Sequence, residues 1–233
     1  MRDTKYTAED FKEGQILLFD KPLGWTSFQV VNKVRWLIRK SCNIKKIKVG
    51  HAGTLDPLAS GLLIICTGKF TKKIDEYQGQ EKEYTGTFTM GATTPSYDLE
   101  TEINETYPID HISEYDIEVA TGEFMGEIDQ VPPVFSALKK DGKRLYEYAR
   151  NGEEVEVQSR KVEITEFEII NNRLPELDFR VVCSKGTYIR SLANDFGMAL
   201  GTGAHLSALR RTKIGAFHVD DAWDITTFEN FLP

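Results

Sequence analysis

The chain has 233 residues, 40% hydrophobic and 28% charged, with a formal net charge of −7. This composition excludes disordered, collagen-like and disulfide-rich classes and allows a sizeable core, expected as one domain over 1–233. Cys42, Cys66 and Cys183 form no C-x-x-C pair, and no apolar run approaches a secretory signal or a membrane span, so a soluble cytoplasmic protein without bound metal is expected.

In chain order, residues 16–19 read as a short buried strand, and KPLGWTS supplies a turn through Pro22 and Gly24. Ser27 can cap a helix in which Phe28, Val31, Val34 and Ile38 share the buried face. Its other face begins a basic segment of Lys33, Arg35, Arg39, Lys40, Lys45, Lys46 and Lys48 that contains no acid. Residues 62–66 and 84–90 read as strands, the first continuously apolar and the second alternating. Residues 98–129 then carry acids and no Lys or Arg. Such segregation can set a basic face on an acidic protein, or simply two solvated faces.

Farther on, VPPVFSALKKDGKRLYEYARNG reads as a basic loop with a helical turn at 145–150. Residues 155–157, 162–170 and 177–183 are strand candidates, and a helix over 191–200 is followed by Gly201 in the C′ position. Strands and helices are mixed rather than regularly alternating, which favours α+β over a doubly wound parallel fold.

The densest chemistry lies in GHAGTLDPLASGLL, residues 50–63. An isolated Asp-Pro is ordinarily a turn or an N-cap. Here Gly50, Gly53 and Gly61 permit tight bends around Asp56, His51 lies five residues away, and an apolar strand follows, a framework able to hold one carboxylate rigidly.

This stretch resembles the G-H-x-G-x-L-D-P-x-A-x-G-x-L motif of the TruB family of tRNA pseudouridine synthases. The resemblance extends through K-P-x-G-x-T-S at 21–27, K-x-Y at Lys82 and Tyr84, VPPVFSALK, Arg144, Tyr146 and Arg150, CSKGTYIRSLA, and GAHLSALRRTKIGAF, spanning roughly 16–217. It implies an α+β pseudouridine synthase fold, an extended mixed sheet flanked by helices and loops around a central catalytic cleft. The implied activity isomerises uridine to pseudouridine at position 55 in the T-arm of tRNA, with no cofactor or metal. The implied partner is the tRNA T-arm stem-loop, bound by a monomer that needs no protein subunit. Asp56 would be the essential carboxylate, Arg190 its cationic partner, and Tyr84 the ring stacked on the target base. His51, Lys21, Gly53, Thr54, Leu55 and Tyr188 would bind substrate, and basic groups in 33–48, 139–150 and 210–213 would meet phosphates. Taken alone, Tyr84 reads as a strand aromatic and Arg190 as a surface or phosphate-binding arginine.

Thr101 stands where the family pattern has Gly, three residues after the acidic position Asp98. Many members continue into a C-terminal PUA domain, and a catalytic domain alone is expected here. Three rival readings are a tRNA-binding or folding factor, an RNA-guided relative, and a glycosidic hydrolase, for which no second carboxylate motif is evident.

Overall fold

The computed structural model describes residues 5–233. The chain forms two compact units, one built from the residues up to Tyr84 together with Arg210–Pro233, the other from Thr85–Leu209. The division falls inside two strands, β4 (Lys82–Met90) and β12 (Ala204–Ile214), through which the chain leaves the first unit and returns to it.

The first unit opens with α1 (Ala8–Glu13), started by a Thr7/Asp10 capping box, and β1 (Ile16–Lys21). Helix α2 (Ser27–Ser41) follows, then β2 (Val49–Ala52), β3 (Ala59–Thr67) and α3 (Ile74–Gln78). Strands β1 and β2 both pair antiparallel with β3. The run at 62–66 is continuously apolar because both of its faces are covered. Leu63 and Ile65 join Leu17, Phe19 and the α2 residues Val31, Val34 and Ile38, while Leu62, Ile64 and Cys66 join Leu18, Tyr77 and Ile214. Full burial of each such side chain contributes roughly 1.5–3 kcal/mol before chain entropy is counted.

Two details of α2 differ from the sequence reading. Thr26, not Ser27, is the N-cap, forming a capping box with Gln29. Phe28 is 63% exposed, because the buried stripe runs through Ser27, Val30, Val31, Val34, Leu37 and Ile38, and Phe28 falls to one side of it.

From β4 the second unit continues through the short pair β5 (Ala92–Thr93) and β6 (Glu105–Thr106), then α4 (Glu114–Glu123) and β7 (Gly126–Gln130). A small hairpin, β8 (Lys139–Lys140) with β9 (Lys143–Arg144), leads into α5 (Leu145–Arg150). Strands β10 (Arg160–Arg173) and β11 (Glu176–Cys183) and helix α6 (Ile189–Ala199) complete the unit. Its strand order is β12-β4-β11-β10-β7. Phe88 stacks on Phe179 at 4.1 Å between ring centroids, Phe167 meets both edge-on, and Phe196 tilts against Phe88. Residues 155–157 form no strand: two valines among glutamates find no ladder partner there. Back in the first unit, β12 pairs with β13 (Phe217–His218), and α7 (Ile225–Phe231) seats Phe228 against Phe19.

Candidate active site

Asp56 sits half-buried on the loop between β2 and β3. Ser27, displaced from capping duty, accepts from the Leu55 N–H at 2.8 Å and donates to the Leu55 carbonyl at 3.1 Å. The Ala59 N–H donates to the Asp56 carbonyl at 3.1 Å, and the Gly24 N–H to the Pro57 carbonyl at 2.8 Å. Arg211, 1% exposed, donates to the carbonyls of Leu62 and Gly53 at 2.8 and 3.1 Å. Leu55 anchors the loop from below, 4% exposed. The carboxylate is therefore carried by a hairpin fastened to α2, to the turn after β1 and to β12.

Gly61 shows how close these elements approach. Its φ is +106°, and a Cβ there would lie 2.3 Å from the Arg211 carbonyl oxygen. Gly61→Ala is expected to lower unfolding free energy by about 3 kcal/mol in urea titrations, through strain and displacement of Arg211.

Lys21 is fully buried, with its ammonium on the carbonyls of Pro22 and Trp25 at 3.1 and 2.6 Å. Burial pulls its pKa down to about 8, against the negative charge of Asp56, which pulls it up. It remains mostly an ammonium at neutral pH. Burial, and then the Arg211 charge, hold His51 below the usual imidazole value, so it is neutral at pH 7. Tyr84 is 8% exposed on β4, and Lys82 ties down the preceding turn by donating to the carbonyls of Gln78 and Gln80. Gly53 makes its bend at φ +93°, beside exposed Thr54.

In the second unit Arg190 lies in the first turn of α6, 4% exposed. It donates to the Ser96 carbonyl at 3.2 Å and pairs with the Asp98 carboxylate at 3.6 Å. Asp98 is 5% exposed. Tyr188, the α6 N-cap, exchanges backbone hydrogen bonds with the Gln130 amide at 2.7 and 3.1 Å, and Arg160 covers its ring at 4.7 Å. The sequence marked Asp98 without giving it a partner, read Ser27 as a cap rather than a loop anchor, and passed over Gln130.

The basic groups divide. Arg211 is enclosed, whereas Arg210, which forms a two-pronged pair with Asp20 at 3.0 and 2.7 Å, and Lys213, which pairs with Glu83, keep about half of their side chains exposed. Lys45, Lys46 and Lys48 are exposed and make no ion pair among the described residues. Lys12, Lys46, Lys48, Lys69 and Lys72 line an open cleft of about 270 Å³ in the first unit. No group of His, Cys, Asp and Glu among the described residues could hold a metal, and no described helix is long and apolar enough to cross a membrane.

The model of the TruB family pseudouridylate synthase N-terminal domain matches residues 39–189, and that of the tRNA pseudouridylate synthase B C-terminal domain matches 190–232. The chain belongs to the TruB family of pseudouridylate synthases. It is 65% identical to tRNA pseudouridine synthase B of Flavobacterium johnsoniae, over 97% of this chain and 99% of that protein. Identity to the protein of the same name from Phocaeicola vulgatus is 56%, over 96% and 95%. Among solved structures, a chain in a Cbf5-Nop10-Gar1 complex superposes with a TM-score of 0.70 at 30% identity, covering 99% of this chain and 59% of that one. An H/ACA RNP bound to a substrate RNA containing 2′-deoxyuridine gives 0.67 at 28%, covering 99% of this chain and 58% of that one.

Proposed function

We infer that this protein is a tRNA pseudouridine synthase acting on the uridine at position 55 of the T-arm. The observation that carries the reading is the clamped Asp56 loop, with the family motif residue for residue, in a chain matched by both family models over 39–232. The reaction breaks the bond from C1′ to N1 of uracil, turns the base, joins C1′ to C5, and releases the C5 proton while N1 gains one. Asp56 serves the sugar carbon as a carboxylate.

The neutral state of His51 suits support of an uncharged extruded base, whose unstacking costs a few kcal/mol. Tyr84 stacks on that base. Gly53, Thr54 and Leu55 shape the loop that receives it, and Tyr188 completes the binding residues. Lys21 acts from behind the loop, by its charge toward Asp56 rather than by touching RNA, as its full burial indicates. Arg190 supplies the reaction's cation, a role resting on the GTYIR motif. The enzyme is a cytoplasmic monomer that binds tRNA without a protein partner, and both units serve one catalytic domain.

Release of tritium from C5-labelled uridine in tRNA tests the reading. Stoichiometric release is expected, whereas a binding factor or a hydrolase that only frees uracil gives none. RNA contact by the free lysines is tested by replacing Lys45 and Lys46 with Ala. The slope of log affinity against log salt is expected to shrink by about 1–2. An unchanged slope would leave this segment a solvated face.

A further inference from the structure

Thr101, where the family pattern has glycine, is built into the support of Arg190. The turn from Thr94 to Thr101 carries two of the groups that meet the guanidinium, the Ser96 carbonyl and the Asp98 carboxylate. Tyr97, between them, has φ +63°, a conformation that a non-glycine residue keeps only when its surroundings impose it.

Part of that constraint comes from outside the turn. The Leu206 N–H of β12 donates to the Tyr97 carbonyl at 2.9 Å. Within the turn, the Tyr97 N–H donates to the Thr94 carbonyl at 3.0 Å, Thr94 Oγ1 to the Asp98 carbonyl at 2.6 Å and the Glu100 N–H to the Asp98 carboxylate at 3.0 Å, and Thr101 adds to these. Its Oγ1 accepts from the Ser96 N–H at 3.1 Å and lies 2.8 Å from Ser96 Oγ, and its own N–H donates to Ser96 Oγ at 3.2 Å.

Ser96 is 0% exposed, with its Oγ 3.1 Å from the Asp98 carbonyl and 2.8 Å from Thr101 Oγ1, a contact in which either hydroxyl can be the donor. Glycine at 101 could supply only the backbone N–H, and the Ser96 N–H and hydroxyl oxygen would each lose a partner.

We propose that Thr101 is a positioning residue for catalysis: its hydroxyl fixes Ser96, and through it the carbonyl and carboxylate that set the direction of the Arg190 guanidinium. This rests on the reading of Arg190 as a group serving the synthase reaction. The strain sits at Tyr97, so a glycine at 101 would leave it in place while removing the hydroxyl that helps hold the turn.

The test compares Thr101→Val, which keeps the shape and loses the hydroxyl, with Thr101→Ser, which keeps it, and Thr101→Gly as a second hydroxyl-free variant should the valine protein not fold. On tRNA, Val and Gly are expected to lower kcat about tenfold with KM within about twofold, and Ser to stay within about twofold of wild type throughout. In parallel, NMR should show the Arg190 Nη1–H, which donates to the Ser96 carbonyl, exchanging faster with solvent in Val and Gly, and not in Ser. Wild-type kcat and exchange in the hydroxyl-free proteins would overturn the proposal, as would a Ser variant as impaired as Val. An inactive wild type would instead defeat the synthase reading, and the exchange comparison would still decide the positioning claim.

Discussion

Asp56→Asn is expected to lower turnover at least about 1,000-fold, a barrier increase of ~4 kcal/mol, while tRNA affinity and melting temperature stay near wild type. The substitution removes charge and almost no volume. The loop is held through backbone groups of Gly53, Leu55, Asp56 and Pro57 with Ser27, Arg211, Ala59 and Gly24, and these contacts survive it. A second readout accompanies the first. The Asp56 charge is what draws the Lys21 pKa upward against burial, so the Asn variant should show Lys21 titrating below its present value of about 8, measured by NMR on the side-chain nitrogen. Turnover within tenfold of wild type would remove Asp56 from the chemistry. A Lys21 pKa that does not fall would show that the two charges do not interact.

Replacing Arg190 should be the next most damaging change, and it should act on turnover rather than affinity. A phosphate-gripping arginine must reach solvent, but this one is 4% exposed and committed to Asp98 and Ser96. Arg190→Lys, which keeps the charge but loses the planar fork, is expected to lower kcat about 100-fold with an unchanged salt slope for tRNA binding. Arg190→Ala should also destabilise the protein by about 3–5 kcal/mol, because it strands a buried carboxylate. In Arg190→Ala/Asp98→Asn that stability should largely return while activity does not. Weakened affinity with a smaller salt slope and full turnover would make Arg190 a phosphate ligand after all.

How far the sequence carried these conclusions varies by element. The 62–66 strand and the Val30 to Ile38 core of α2 were legible because local periodicity and burial coincide there. Helix α4 was missed although Ser113 and Asp116 form a capping box, because only Ile117 and Ala120 are buried and its face lacks an apolar stripe. Strand β12 was missed for a different reason. Its polar residues Arg211 and His205 are buried and paired with backbone carbonyls supplied by segments far away in the chain, and no local pattern announces such partners.

By itself, the sequence determined residue identity: which carboxylate, which arginine and which aromatic match the motif of a pseudouridine synthase family. Motif matching reports residue identity, and identity is what chemistry selects. Only the tertiary structure decided what each polar group spends its bonds on. It turned Arg211 inward as a clamp, moved Ser27 from cap to loop anchor, buried Lys21 on the carbonyls of Pro22 and Trp25, and gave Arg190 a partner in Asp98. These outcomes depend on which carbonyls and carboxylates lie within about 3 Å of a donor, a distance set by packing between residues that are remote in sequence.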